Sequence, residues 1–298
     1  MPIRVPSLPM NPWFLAARPR TLGAAIVPVL TGCALAFAAG GFDPMASVLA
    51  LTCAVLIQIA TNYFNDAIDH AKGADTAERL GPIRATSAGL LSARAMMAGG
   101  TACLVLAAIL AIPLVLHGGW PILVLGIVSL VLAYAYTGGP LPLAYLGLGE
   151  IFVVLFFGVF AVAGTFYLNT LEWSPVAGLA GLQIGLHSSV LLAVNNLRDL
   201  ETDRAADKRT LAARFGLTFA RRENASLVIA PFVLGILWLP LGYLWALLLP
   251  LMTLPLAWWL ARACLEAQPA RETNQLLAQA AALHASFGLL LALAFLLP

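Results

Sequence analysis

Long uncharged segments run through this chain, and they leave it few ways to fold. A run of about twenty apolar residues crosses the hydrocarbon core of a bilayer as one helix. By that measure the sequence holds about nine spans, at roughly 21–39, 46–66, 95–116, 120–137, 147–168, 175–197, 225–241, 243–261 and 277–297. Pro240 and Gly242 make the join between the seventh and eighth the weakest boundary. The chain is 61% hydrophobic and 10% charged, so too little of it can face water for a soluble domain of this length. The expectation is an all-α polytopic membrane protein, one domain over residues 1–298, whose helices surround a cavity open at the cytoplasmic side. Residues 1–12 are Pro-rich and read as a flexible N-terminus without the short apolar core and cleavage site of a signal peptide.

The bases fix an expected orientation. All 16 Lys and Arg residues fall before the first span, between the second and third, between the sixth and seventh, or just before the last. With nine spans these are one side of the membrane, and the opposite loops carry Asp43 and Glu172 without a base. Basic loops stay cytoplasmic, so the N-terminus and the charged loops are expected there, in the cell (inner) membrane. The net charge of +2 gives no reason to expect a nucleic-acid partner. Cys33, Cys53, Cys103 and Cys264 lie scattered in apolar runs without metal or disulfide spacing and read as small core residues.

Two acidic clusters break the pattern, each at the end of a span. One is NNLRDLETDRAADKR, residues 195–209, with Asp199, Asp203 and Asp207 four apart. Positions i and i+4 share a helix face, so the spacing predicts three carboxylates in a row, which repel unless a cation sits among them. The other is NYFNDAIDHAKGAD, residues 62–75, with Asp66 and Asp69 three apart and Asp75 beyond. The scaffold is expected to bring the clusters face to face. Ionisable groups at membrane depth are costly and mark function by default. Ligation by Asp and Asn oxygens suits Mg²⁺, which shares its shell with substrate phosphates. His and Cys are missing at ligand spacing, which argues against zinc. Bases beside such a metal form a clamp for a diphosphate. In a membrane, the matching donor is an allylic diphosphate with a long apolar tail.

Blander readings stand beside these. The acids can cap helices or pair with nearby bases, and the bases can act as topology determinants alone. Asp75 and Asp207 can be solvated loop acids. Tyr134 and Tyr136 can belong to an interfacial belt, and His117, His187 and His284 can be packed or interfacial residues. Glu150 can orient the acceptor or close a helix end. From another class, an ion-coupled secondary transporter also carries intramembrane acids in loosely repeated halves.

NDxxD followed by DxxxD, each closing a span, resembles the UbiA superfamily of intramembrane aromatic prenyltransferases. The similar stretches are AARPRTLGAAIVPVLTG (16–32), QIATNYFNDAIDHAKGADTAERLGPIRATSAGLLS (58–92), AYTGGPLPLAYLGLGEIFVVLFFG (135–158) and NNLRDLETDRAADKRTLAARFG (195–216). The resemblance implies that Asn62, Asn65, Asp66 and Asp69 hold one Mg²⁺. Asp199 and Asp203, with Asn195 or Asn196, hold the other, so the four aspartates serve catalysis through metal. It implies that Lys72, Arg84, Arg198 and Lys208 contact the diphosphate, that Arg18 sits at the pocket mouth, and that Tyr134 and Tyr136 line the reaction centre. The similarity is strongest to the members that transfer a polyprenyl group from polyprenyl diphosphate to 1,4-dihydroxy-2-naphthoate with decarboxylation, on the route to menaquinone; 4-hydroxybenzoate, homogentisate and a porphyrin are the other acceptors it allows. Asp207 stands where the family often has Gly, and Ala67 where it often has an aromatic.

Overall fold

The computed structural model describes residues 11–73, 80–140 and 142–298, and no strand occurs among them. Asp75, Arg4 and Arg79 lie outside these residues, as does most of the Pro-rich N-terminus. The first described helix, α1 (Pro12–Ala17), starts on Pro12 with Asn11 as its cap. The chain continues through α2 (Pro19–Ala38), α3 (Pro44–Ala71), α4 (Ala93–Gly118), α5 (Trp120–Ala135), α6 (Leu143–Leu146), α7 (Gly149–Val154) and α8 (Phe160–Thr170). It ends with α9 (Pro175–Arg198), α10 (Leu200–Ala205), α11 (Leu211–Phe215), α12 (Leu217–Leu234), α13 (Leu244–Leu251), α14 (Leu254–Glu266) and α15 (Thr273–Phe295).

Helix starts follow local chemistry. Asp43 accepts the N–H groups of Met45 and Ala46 ahead of Pro44, and Ser92 accepts that of Ala95. Such caps satisfy donors that the first turn leaves free, and Pro fits there because it has no N–H to lose.

Among the described residues, six helices are long and apolar enough to cross a membrane: α2, α3, α4, α9, α15 and the continuous Gly149–Thr170. The pair α13 and α14, bent by 58°, makes a seventh if counted as one span. About nine were expected from apolar runs. The shortfall has two physical sources. Helix α5 stops after sixteen residues, where the Gly138–Gly139–Pro140 turn begins. Helix α12 carries Arg221, Arg222 and Glu223 near its start and tightens to a 3₁₀ turn at Gly235–Trp238, before Pro240.

Helix α9 is the spine, packed against α7, α8, α12 and α15. Its Gly181 and Gly185 press on a π-helical turn at Leu155–Val159 between α7 and α8. A Cβ on Gly158 would lie 2.3 Å from the Gly181 carbonyl oxygen, and one on Gly185 would lie 2.4 Å from that of Val154. Only glycines allow this backbone-on-backbone approach, the small-xxx-small packing common between membrane helices. Polar side chains in the bundle are tied to carbonyls. His187 contacts Val228 at 3.1 Å, His284 contacts Gly23 at 3.3 Å and His117 contacts Leu168 at 3.0 Å. His187 and His284 are therefore buried packing residues, whereas His117 is exposed at the end of α4.

Candidate active site

Both acidic clusters reach one cavity, of about 560 Å³, at the end of the bundle where α3 and α9 finish and α2 and α15 begin. Its wall holds Asn65 and Asp69 from α3, and Asn195, Asn196, Asp199 and Asp203 from the end of α9 and from α10. Arg18, Arg84, Arg198, Lys208 and Tyr136 complete it.

The three-carboxylate stripe is not one helix face. Helix α9 ends at Arg198, and Asp199 leaves the helical region at φ −92° and ψ 12°. Asp199 and Asp203 stay on adjacent turns through an N–H···O bond of 2.7 Å from Asp203 to Asp199. Asp207 falls beyond α10 with φ 50°, in the left-handed region that glycine fits best, and pairs at the surface with Arg209 at 3.4 Å. Asp207 is a solvated turn residue off the cavity wall.

Each aspartate of the wall has a base beside it. The Arg84 guanidinium lies 3.5 Å from Asp69, Arg198 grips Asp199 through Nε at 2.7 Å and Nη2 at 2.5 Å, and Lys208 lies 3.7 Å from Asp203. Among the described residues, no three His, Cys, Asp or Glu side chains are grouped to hold a metal. The acids of both clusters thus share one cavity wall, with a base beside each of Asp69, Asp199 and Asp203. Arg18 has φ 51° at the joint of α1 and α2, a strained backbone of the kind that clusters at functional sites.

Four expected site residues lie off the wall. Asp66 is 1% exposed, and its two oxygens accept the N–H groups of Ala85 at 3.0 Å and Thr86 at 3.1 Å, so it anchors the segment that carries Arg84. Asn62 donates to the Ala17 carbonyl at 2.8 Å and to Thr21 at 3.1 Å, joining α3 to the α1–α2 joint. Tyr134 is half exposed and packs edge-on against Phe64. Lys72 donates to the Thr137 carbonyl at 2.8 Å and sits 4.1 Å over the Tyr145 ring. Ala67 packs with Ala16, Tyr63 and Met96, also away from the cavity.

Three residues escaped the sequence reading. Tyr145 donates to Asp69 at 3.1 Å, and Lys208 lies 5.5 Å from the centre of its ring. It therefore touches both half-sites, and burial beside Asp69 raises its phenol above the usual range. The signal was its place in the PLPLAYLGLG turn, between two clusters. Thr137 bonds to Asn65. Asn274 accepts from Arg198 at 2.8 Å and donates to the Leu80 carbonyl at 3.0 Å. A lone amide at the start of the last helix gives no sequence signal.

A second, apolar cleft of about 220 Å³ adjoins the first, and Tyr136 lines both. Its walls include Ala25, Val29, Ile57, Ile122, Gly126, Phe156, Phe160 and Leu168. Fold and site together define a polytopic helical membrane protein with an acid- and base-lined chamber at one end, continued by an apolar cleft between its helices.

Comparison with known proteins gives the family. The model of the UbiA prenyltransferase family matches residues 25–296, and the chain belongs to that family. It is 39% identical over 213 residues to a 1,4-dihydroxy-2-naphthoate octaprenyltransferase of Haemophilus influenzae, covering 68% of this chain and 69% of that one. It is 37% identical over 227 residues to the enzyme of the same name in Escherichia coli, covering 74% of each. The fold matches a UbiA homolog from Archaeoglobus fulgidus solved with GPP and Mg²⁺, with a TM-score of 0.64, 15% identity and coverage of 96% and 99%. It also matches the apo UbiA homolog from Aeropyrum pernix K1, with a TM-score of 0.67, 17% identity and coverage of 88% and 96%. The chain is a membrane prenyltransferase, and the transporter reading falls with its family membership, its acids gathering at helix ends.

Proposed function

We propose that the protein transfers a polyprenyl group from polyprenyl diphosphate to 1,4-dihydroxy-2-naphthoate, with loss of the carboxylate as CO₂, in menaquinone biosynthesis. The observation that carries this is the junction at Tyr136. There a chamber of acids and bases, fit for a diphosphate, meets an apolar cleft fit for its tail. The naming of relatives at 31–39% identity supports the naphthoate as acceptor.

The donor set of the chamber is Asn65, Asp69, Asn195, Asp199 and Asp203, all oxygen or amide ligands, which fits Mg²⁺ and not a softer metal. These residues would hold it, and when bound it would neutralise the diphosphate and draw charge from the leaving oxygen. Asp66 and Asn62 support the site from behind. Arg84, Arg198 and Lys208 each lie against an acid of the wall, placed to turn to the diphosphate. Lys72, beside Tyr145, backs this group. The allylic C–O bond breaks and diphosphate leaves with the electron pair. The prenyl carbon bonds to the ring carbon that carried the carboxylate, and CO₂ departs, restoring the aromatic ring. Apolar walls beyond Tyr136 keep water from the cation. The gathering of Arg84, Arg198, Lys208 and Arg18 at this end supports a cytoplasmic chamber.

Purified protein in lipid, given octaprenyl diphosphate and 1,4-dihydroxy-2-naphthoate, is expected to yield the prenylated naphthol and one CO₂ for each diphosphate. Product formed equally well in EDTA removes the metal role. Prenylation of 4-hydroxybenzoate in preference to the naphthoate removes the acceptor.

A further inference from the structure

Glu150 is a buried acid in the cavity wall that the scheme above leaves unused. It lies in the first turn of α7 and is 6% exposed. Asp69, Asp199 and Asp203 each have a base beside them. Among the described residues, none pairs with Glu150. Its side-chain partner is Asn196, which donates to Oε1 at 2.7 Å. Keeping a carboxyl group at this depth without a cation is costly, and Asn196 holds this one in place.

Its location says what it can meet. A Cβ on the adjacent Gly149 would lie 3.1 Å from the Tyr136 hydroxyl, so the start of α7 is pressed against Tyr136. Tyr136 lines both the charged chamber and the apolar cleft. Glu150 therefore stands where a donor's diphosphate would give way to its first prenyl carbon. A carboxyl group here accepts hydrogen bonds from neutral hydroxyls and, when ionised, repels the diphosphate and any carboxylate.

We propose that Glu150 receives the aromatic acceptor: its carboxyl oxygen accepts a hydrogen bond from a ring hydroxyl and sets the ring against the prenyl carbon beside Tyr136. The acceptor's own carboxylate is turned by the same charge toward the bases of the wall. Asn196 is then a positioning residue for Glu150. This inference rests on the prenyl-transfer reading.

The test is a kinetic split in purified Glu150→Gln and Glu150→Asp. Gln keeps the bond with Asn196, so the fold is expected to hold, checked by an unchanged melting temperature. In Glu150→Gln the acceptor KM is expected to rise about tenfold while the donor KM stays within about twofold. Wild type is expected to reject a naphthoate lacking one ring hydroxyl, and Glu150→Gln to lose about a factor of ten of that discrimination. Glu150→Asp is expected to recover part of both. An acceptor KM and discrimination unmoved in Glu150→Gln overturns the inference, as does an equal loss for donor and acceptor with a lowered melting temperature. Wild type active on no hydroxynaphthoate removes the functional reading itself, and the inference with it.

Discussion

Asp66 and Asp69 are three residues apart, share the last turns of α3, and do different work. Asp66 holds the backbone of Ala85 and Thr86, while Asp69 lines the cavity. Asp66→Ala leaves two buried N–H groups without acceptors, at about 1–3 kcal/mol each. It is expected to lower the melting temperature and, by freeing the segment of Arg84, the activity. Asp69→Asn is expected to cut kcat by about a hundredfold or more, a loss of the size seen when one charge-stabilising group is removed, with the melting temperature held. Equal melting temperatures for both variants would return Asp66 to the reaction. Lys72 carries a pH prediction. Burial lowers its pKa, Asp69 opposes that, and Lys208 adds to it. It therefore sheds its proton at a lower pH than an ordinary lysine, and kcat/KM for the donor is expected to fall as pH rises through that lowered value. Lys72→Arg, charged throughout, is expected to move this limb to higher pH, as a pH profile of both proteins will show. The acids, amides and bases of the chamber were legible in NDxxD and DxxxD because chemistry dictates their type. Which acid faces the chamber was not, because Asp66 is claimed by a backbone segment about twenty residues away, and no spacing rule foretells that contact.

At the level of elements, apolar length marked where helices lie, while the caps Asp43 and Ser92 that start α3 and α4 emerge only in the structure. What length could not show is how they break. The stripe of Asp199, Asp203 and Asp207 assumes an unbroken helix, yet Asp199 and Asp207 each leave helical geometry. The π-helical turn at Leu155–Val159 is likewise silent in LFFGV, since it arises from the glycines of α9 against it. That contact orients α7, hence Glu150, against the end of α9, hence Asn196. Gly185→Val is therefore expected to act on both stability and site. Its Cβ would lie 2.4 Å from backbone that has no rotamer to yield, so overpacking is expected to cost about 3 kcal/mol or more. Thermal unfolding in detergent measures this. A variant that melts like wild type means that α7 and α9 are not clamped here.

Across the whole molecule, the chamber supplies charge and the cleft supplies length. Leu114, Ile122 and Leu168 pack together at one part of the cleft, and Tyr136 stands at its junction with the chamber. Gly126 lies between, on α5, in open space: a Cβ there meets nothing within 4 Å. The ten residues from Gly126 to Tyr136 span about 15 Å of helix. A short prenyl tail leaving Tyr136 ends before Gly126, whereas a long one must pass it if it follows the cleft toward Ile122. Gly126→Phe would extend a ring from a position where the added Cβ meets nothing within 4 Å. Gly126→Phe is thus expected to keep its rate with geranyl diphosphate and lose about tenfold or more with octaprenyl diphosphate, an order of magnitude that matches blocking a few apolar contacts. Competition between the two donors, read by product mass, measures the ratio directly. An unchanged ratio means that the tail leaves sideways into lipid before Gly126, and that the deep part of the cleft has no role in choosing the donor.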